Sequence, residues 1–104
     1  MATKTDVVQV LTRARDLIRR GWTQGQNQRD FMGRKCYCLT GAVFAANPSS
    51  APHTTYVRAR AIRVLHSTLR NILGHDRAVW AWNDQKERTQ AEVLDLLDKT
   101  IAEL

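Results

Sequence analysis

This sequence has no apolar run near the roughly 18–20 residues that a bilayer-spanning helix needs. Its opening stretch, MATKTDVVQVLTRARD, carries charges on both sides of a short apolar patch and no small-residue cleavage site, so a signal peptide is not expected. Cysteine is scarce: Cys36 and Cys38 are the two in 104 residues, and one residue separates them. A disulfide across that spacing would be badly strained, so both are expected as thiols in a reducing cytoplasm. Acidic residues are scarce as well, though unevenly. Residues 1–78 hold 13 Lys/Arg against 4 Asp/Glu, whereas residues 79–104 hold 3 against 6. A paired-carboxylate acid/base site is therefore not expected before residue 76. The chain also has no glycine-rich phosphate loop of Walker or dinucleotide type. A helix-turn-helix is absent too, because the connection before the third expected helix is about eight residues rather than a tight turn.

What remains is ordinary in amount and unusual in placement. Hydrophobic residues make up 43 % and charged residues 25 %, which fits a single globular domain over residues 1–104. The formal charge is +6, with a pI near 10. A basic body followed by an acidic tail suggests an acidic partner, or a homodimer in which one protomer's tail answers another's body.

Four helices are expected. Val7, Val10, Leu11, Ala14, Leu17 and Ile18 recur at helical spacing and form one apolar stripe. Thr3 or Thr5 suits the start of that helix, and Asp6 and Arg19–Arg20 match its dipole. Gly21 stands where a left-handed residue would end it, which would fold Trp22 back on Leu17. The stretch TQGQNQRDFMGRK (23–35), rich in amides and glycine, is expected as a loop. The only strand alternative is a short pairing around residues 30–37, for which alternation gives no support. The next helix, about 38–46, has small residues (Gly41, Ala42, Ala45, Ala46) that allow a neighbouring helix to come close, and Asn47–Pro48 stops it. A linker over 48–55 follows.

The third helix is expected from about 55 to 73, closed by Gly74, with Val57, Ala61, Ile62, Val64, Leu65, Leu69, Ile72 and Leu73 facing the core. Tyr56, Arg60, Arg63, Ser67 and Arg70 step by 4, 3, 4 and 3 along the opposite side, and no acid lies anywhere on this helix. The last helix, about 90–103, starts at the capping box Thr89–Glu92. Its expected apolar face is Ala91, Val93, Leu94, Leu97 and Ile101, leaving Leu96 and Leu104 as surplus apolar groups for a contact with another chain. Before it comes VWAWND (79–84). Alternation would send Trp80 and Trp82 to one side, sealing an end of the bundle as a Trp-containing loop, and Asn83–Asp84 would then turn the chain. The fold class expected is thus all-α, a small bundle of about four helices.

Three segments carry a resemblance: RARDLIRRGWTQG (13–25), CLTGAVFAA (38–46) and WNDQKERTQAEVLDLLDKTI (82–101). Through its Gly-Trp-x-Gln-Gly, Cys-Leu-x-Gly-Ala and Trp-Asn-Asp elements, in that order, the chain resembles a family of small proteins of unknown function found in bacterial genomes and their phages. The resemblance runs over nearly the whole chain. It implies a shared fold and a mobile-element setting, and no particular reaction. The arginine stripe of the third helix is not part of the resemblance.

Several chemistries compete. Cys38 at a helix start could act as a nucleophile, since the dipole and free N–H groups there lower a thiol pKa. A base would come from His53, His66 or His75, with His75 best placed after Gly74, and Asn83 or Asp84 would orient it. The plainer reading makes Cys38 a compact buried filler. Cys36, Cys38 and His53 are too few for a structural zinc site, so no metal and no cofactor are expected. The tryptophans Trp22, Trp80 and Trp82, with Asn83 and Asp84, could line a small pocket, although packing and turn formation explain them too. The favoured reading is non-catalytic binding of an acidic partner, nucleic acid or protein, through Tyr56, Arg60, Arg63, Ser67 and Arg70. A cytoplasmic phage or mobile-element regulator or inhibitor would be its setting, and a Cys38-dependent hydrolase is the alternative.

Overall fold

Of the two threonines that could start the first helix, Thr3 and Thr5, it is Thr3 that caps it. In the computed structural model, which describes residues 3–46 and 54–104, its hydroxyl accepts the Asp6 N–H at 3.1 Å, and the Asp6 carboxylate accepts the Thr3 N–H at 3.1 Å. This reciprocal cap starts α1 (Lys4–Arg20), which buries Val7, Val10, Leu11, Ala14 and Ile18. The other end is closed from a distance: the Gln90 side chain donates to the Ile18 carbonyl at 2.6 Å, meeting an acceptor the helix itself leaves open.

Gly21 differs from expectation. Its backbone is extended (φ −175°, ψ 125°), not left-handed. Glycine is needed here for proximity, because a Cβ would sit 2.9 Å from both Cys36 Sγ and the Lys35 carbonyl oxygen. The segment over residues 21–23 lies along a strand: Tyr37 N–H donates to Gly21 O and Thr23 N–H to Tyr37 O.

That strand corrects the reading of 23–35 as a loop, and the fold class with it. β1 (Gln28–Phe31) and β2 (Arg34–Tyr37) form an antiparallel hairpin in which Gln28 faces Tyr37 and Phe31 faces Arg34. Met32 (φ 51°) and Gly33 (φ 79°) make its two-residue turn, both in the left-handed region that matches strand twist. All four β1 residues are exposed. No apolar alternation marks the element, which is why its sequence looks like a loop. The chain is therefore mostly helical with a small two-stranded sheet rather than purely all-α.

α2 (Leu39–Ala46) packs against α1 and buries Leu39, Gly41, Ala42, Val43 and Ala46, and its Gly41 admits the loop backbone, not a second helix, as described below. The Asn47–Pro48 stop, the linker through residue 53 and His53 lie outside the described residues. α3 (Thr54–Leu73) is 20 residues long and ends at Gly74, whose φ of 80° and N–H to the Arg70 carbonyl give the expected left-handed close. It buries Val57, Ala61, Leu65, Thr68 and Leu69, while Ile72, expected inside, is 52 % exposed near the helix end.

Two further helices follow, making five among the described residues, one more than expected. α4 (Val79–Asn83) is a single short turn, and α5 (Gln90–Ala102) begins at the expected Thr89–Glu92 capping box. The Thr89 N–H, first among several donors, holds the Glu92 carboxyl below the usual carboxylate range. α5 is rotated from the expected face: Leu96 is buried with Val93 and Leu97, and Ala91 is exposed. Leu104 packs against the core as well. Neither leucine is therefore surplus, and that argument for a homodimer falls. Among the described residues one hydrophobic core draws on each of α1 to α5. Among the described residues no helix is long and apolar enough to cross a membrane.

Candidate functional site

The three sequence elements that carried the resemblance meet at one side chain. Asn83, fully buried, accepts the Trp22 indole N–H at 2.8 Å and the Leu39 backbone N–H at 3.2 Å on Oδ1. Its Nδ2 donates to the Thr23 carbonyl at 3.2 Å and to Asp84 Oδ1 at 3.0 Å. Both lone pairs and both N–H bonds of the amide are thus used, which also assigns its oxygen and nitrogen. The neighbours extend the network. Asp84 Oδ1 accepts the Gly25 N–H at 2.9 Å, and the Gln24 amide donates to the Asn83 and Gln85 carbonyls. The last residue of α4 and the two that follow thereby hold the 22–25 segment and the first N–H of α2 in one clasp.

Cys38 and Gly41 tighten it from the α2 side. Cys38 is the residue before α2; its sulfur accepts the Gly41 N–H at 3.3 Å, and its thiol faces Asn27 Oδ1 at 3.5 Å. The Asn27 carbonyl accepts the Cys38 N–H at 3.2 Å. A Cβ on Gly41 would fall 1.9 Å from that same carbonyl oxygen, so only glycine lets the loop lie on the helix. Cys38 is 4 % exposed. Burial pushes its thiol pKa up, outweighing the lowering from the Gly41 and Thr40 N–H groups. His75 is exposed, its Nδ1 near the Asp76 carbonyl, and the Asp84 carboxylate serves the clasp. Among the described residues no hydrogen bond joins Cys38, His75 and Asp84 into a catalytic set. Cys38 is placed as a helix-capping, buried group.

The tryptophans divide. Because residues 79–83 are helical, positions 80 and 82 lie on nearly opposite sides, about 200° apart, and not on one side as alternation would have it. Trp82 is 6 % exposed, with the Arg88 guanidinium 3.9 Å from the centroid of its ring. Arg88 also donates to the Trp82 carbonyl, Glu92 and Gln85. Trp80 is 62 % exposed and belongs to the surface. The expected pocket of Trp22, Trp80, Trp82, Asn83 and Asp84 is thus three clasp residues, one core indole and one surface indole. The clasp amide has no bond left for a ligand.

The basic stripe is open. Tyr56, Arg60, Arg63, Ser67 and Arg70 are all exposed on α3. Asp76, beyond Gly74, supplies an acid that the helix itself lacks: its carboxylate lies 3.5 Å from Arg70 Nε and 3.6 Å from His66 Nε2. Exposed pairs of this kind contribute roughly 0–1 kcal/mol, so they leave the face cationic. Beside the stripe runs a feature the sequence reading missed. Thr55, Arg58, Ala59, Ile62, Arg63 and His66 share one side of α3 and form the wall of two hollows, about 500 and 330 Å³, that meet at Ala59 and Ile62. Phe44 of α2 stands at one end and Trp80 at the other. The 3–4 spacing of these residues was a signal available in the sequence, but it overlaps the core stripe at Ile62.

These observations define a small, mostly helical domain, pinned by a buried Asn-centred clasp and bearing a basic, grooved α3 on its surface. The chain belongs to the family of unknown function DUF6197, whose model matches residues 2–103. No curated protein matches the chain, and neither does any solved structure.

Proposed function

We propose that this protein is a non-catalytic binding module that holds an acidic macromolecule against α3. The observation that carries the reading is the exposed stripe Tyr56–Arg60–Arg63–Ser67–Arg70, which runs along nearly four helical turns and carries three arginines. Guanidinium groups bind phosphates and carboxylates through forked N–H pairs, so nucleic acid and acidic protein share the chemistry this face offers. The acids of α5 are partly engaged at home, with Asp98 on Arg15 and Glu92 on Arg88, which favours an outside partner over a second copy. A cytoplasmic regulator or inhibitor carried by a phage or mobile element is the setting we propose, on sequence resemblance.

The test is a salt series with labelled duplex DNA, single-stranded DNA, RNA and poly-glutamate, using the wild type and an Arg60/Arg63/Arg70→Ala variant. Binding to at least one polyanion should fall steeply with salt, and for duplex DNA the variant should lower the log–log slope by about 2–3. Binding to all four that is weak or indifferent to the substitutions would overturn the proposal.

A further inference from the structure

We infer that the groove between α2, α3 and α4 receives an amphipathic helix with acidic flanks, supplied by a partner protein; the inference rests on the basic-face reading and names its partner class. The middle of the groove is aliphatic, lined by Ala59 and Ile62 of α3 and, in the hollow next to α4, by Val79, so its occupant must bring apolar side chains. The walled length, Thr55 to His66, is about 16 Å, or three helical turns. Three turns suit an inserted helix with apolar residues at i, i+3 or i+4, and i+7. The exposed rings of Phe44 (42 %) and Trp80 (62 %) stand at its two ends as large contact surfaces.

Charge selects the sign of the partner. Arg63 belongs both to the groove wall and to the stripe, and Arg60 and Arg70 continue beside it, so a helix lying in the groove presents its flank to a row of guanidiniums. A second copy of this chain does not fit, because the acidic helix α5 already buries Val93, Leu96 and Leu97 in its own core. A single nucleic-acid strand suits it less well. It needs successive stacking faces, whereas here the floor is aliphatic and the Arg58 guanidinium already lies 5.0 Å from the centroid of the Phe44 ring.

The test is selection of a random 16-residue peptide library on the full chain, with counter-selection on an Ala59→Gln variant that fills the exposed floor position. Trp80→Ala and Arg63→Glu serve as two further surface variants, and circular dichroism checks that all three keep the native helix content. Enriched peptides should carry apolar residues at helical spacing with Asp or Glu beside them. A synthetic member should shift the Trp80 emission and bind each variant at least tenfold more weakly. No peptide surviving the counter-selection, or surviving peptides that bind Trp80→Ala and Arg63→Glu as tightly as the wild type, would overturn the groove assignment. If polyanions still bind in a manner that depends on Arg60, Arg63 and Arg70, the basic-face reading stands while this inference fails. If neither peptides nor polyanions respond, both fall.

Discussion

The indole N–H of Trp22 is bound at 2.8 Å by the side-chain carbonyl of Asn83, 61 positions later, and that oxygen also accepts the first N–H of α2. Asn83→Ala would leave Trp22 and Leu39 without an acceptor and the Thr23 carbonyl without a donor, all in or near the core. Each orphaned group costs roughly 1–3 kcal/mol, so a loss of about 3–5 kcal/mol is expected in urea unfolding. Trp22→Phe removes one donor only and should cost about 1 kcal/mol for the hydrogen bond. Equal losses in the two variants would show that Asn83 does not organise the clasp.

Gly41→Ala should destabilise, although alanine is the better helix former by about 1 kcal/mol. The added Cβ would lie 1.9 Å from the Asn27 carbonyl oxygen, a backbone atom that cannot swing aside. The loop must lift, at a cost of about 1–3 kcal/mol. Amide exchange at Cys38, whose N–H donates to that carbonyl, should accelerate. A stabilised Gly41→Ala variant with unchanged exchange would contradict this account.

Trp80 and Trp82 should behave as opposites. Trp82→Ala removes a buried ring and the surface beneath Arg88, costing roughly 3–5 kcal/mol. Trp80→Ala should change stability by no more than about 0.5 kcal/mol, as expected of an exposed position. Emission of the native protein should lose its solvent-exposed, red-shifted part in Trp80→Ala. Comparable unfolding midpoints for the two variants would count against the assignment.

Cys38 should alkylate slowly at neutral pH, and much faster once the chain is unfolded. Burial raises its thiol pKa, so folding favours the neutral form. The corresponding stability is fully present below the unfolded-state pKa and is lost as pH rises through the folded one. Stability should therefore decline on the alkaline side of the ordinary thiol range, and Cys38→Ser should flatten that decline. Rapid labelling of the folded protein at pH 7 would instead restore the nucleophile reading.

The expectations that proved right concern signals read and satisfied within a few residues. The Thr89–Glu92 box closes on a partner three positions away, Thr3 is the one of the two candidate threonines that caps α1, and Gly74 ends α3 through its own backbone freedom. The stripe on α3 is equally local, because 3.6-residue periodicity alone puts Arg60, Arg63 and Arg70 on one side. The misreadings lie where periodicity is too short or too weak to decide. Five residues of α4 cannot distinguish a helix from a strand, so alternation misplaced Trp80. The hairpin's first strand is exposed throughout and has no apolar alternation to betray it.

Local chemistry in the chain was enough to set its four longer helices, the start of α5 and its cationic face, because those depend on neighbours three or four residues apart. The clasp, the burial of Cys38, the separation of Trp80 from Trp82 and the groove beside Arg63 were decided by contacts between distant segments. An amide such as Asn83 shows in sequence only what it can bond. Whether it turns a loop or pins three segments depends on which donors and acceptors the packed helices bring to it.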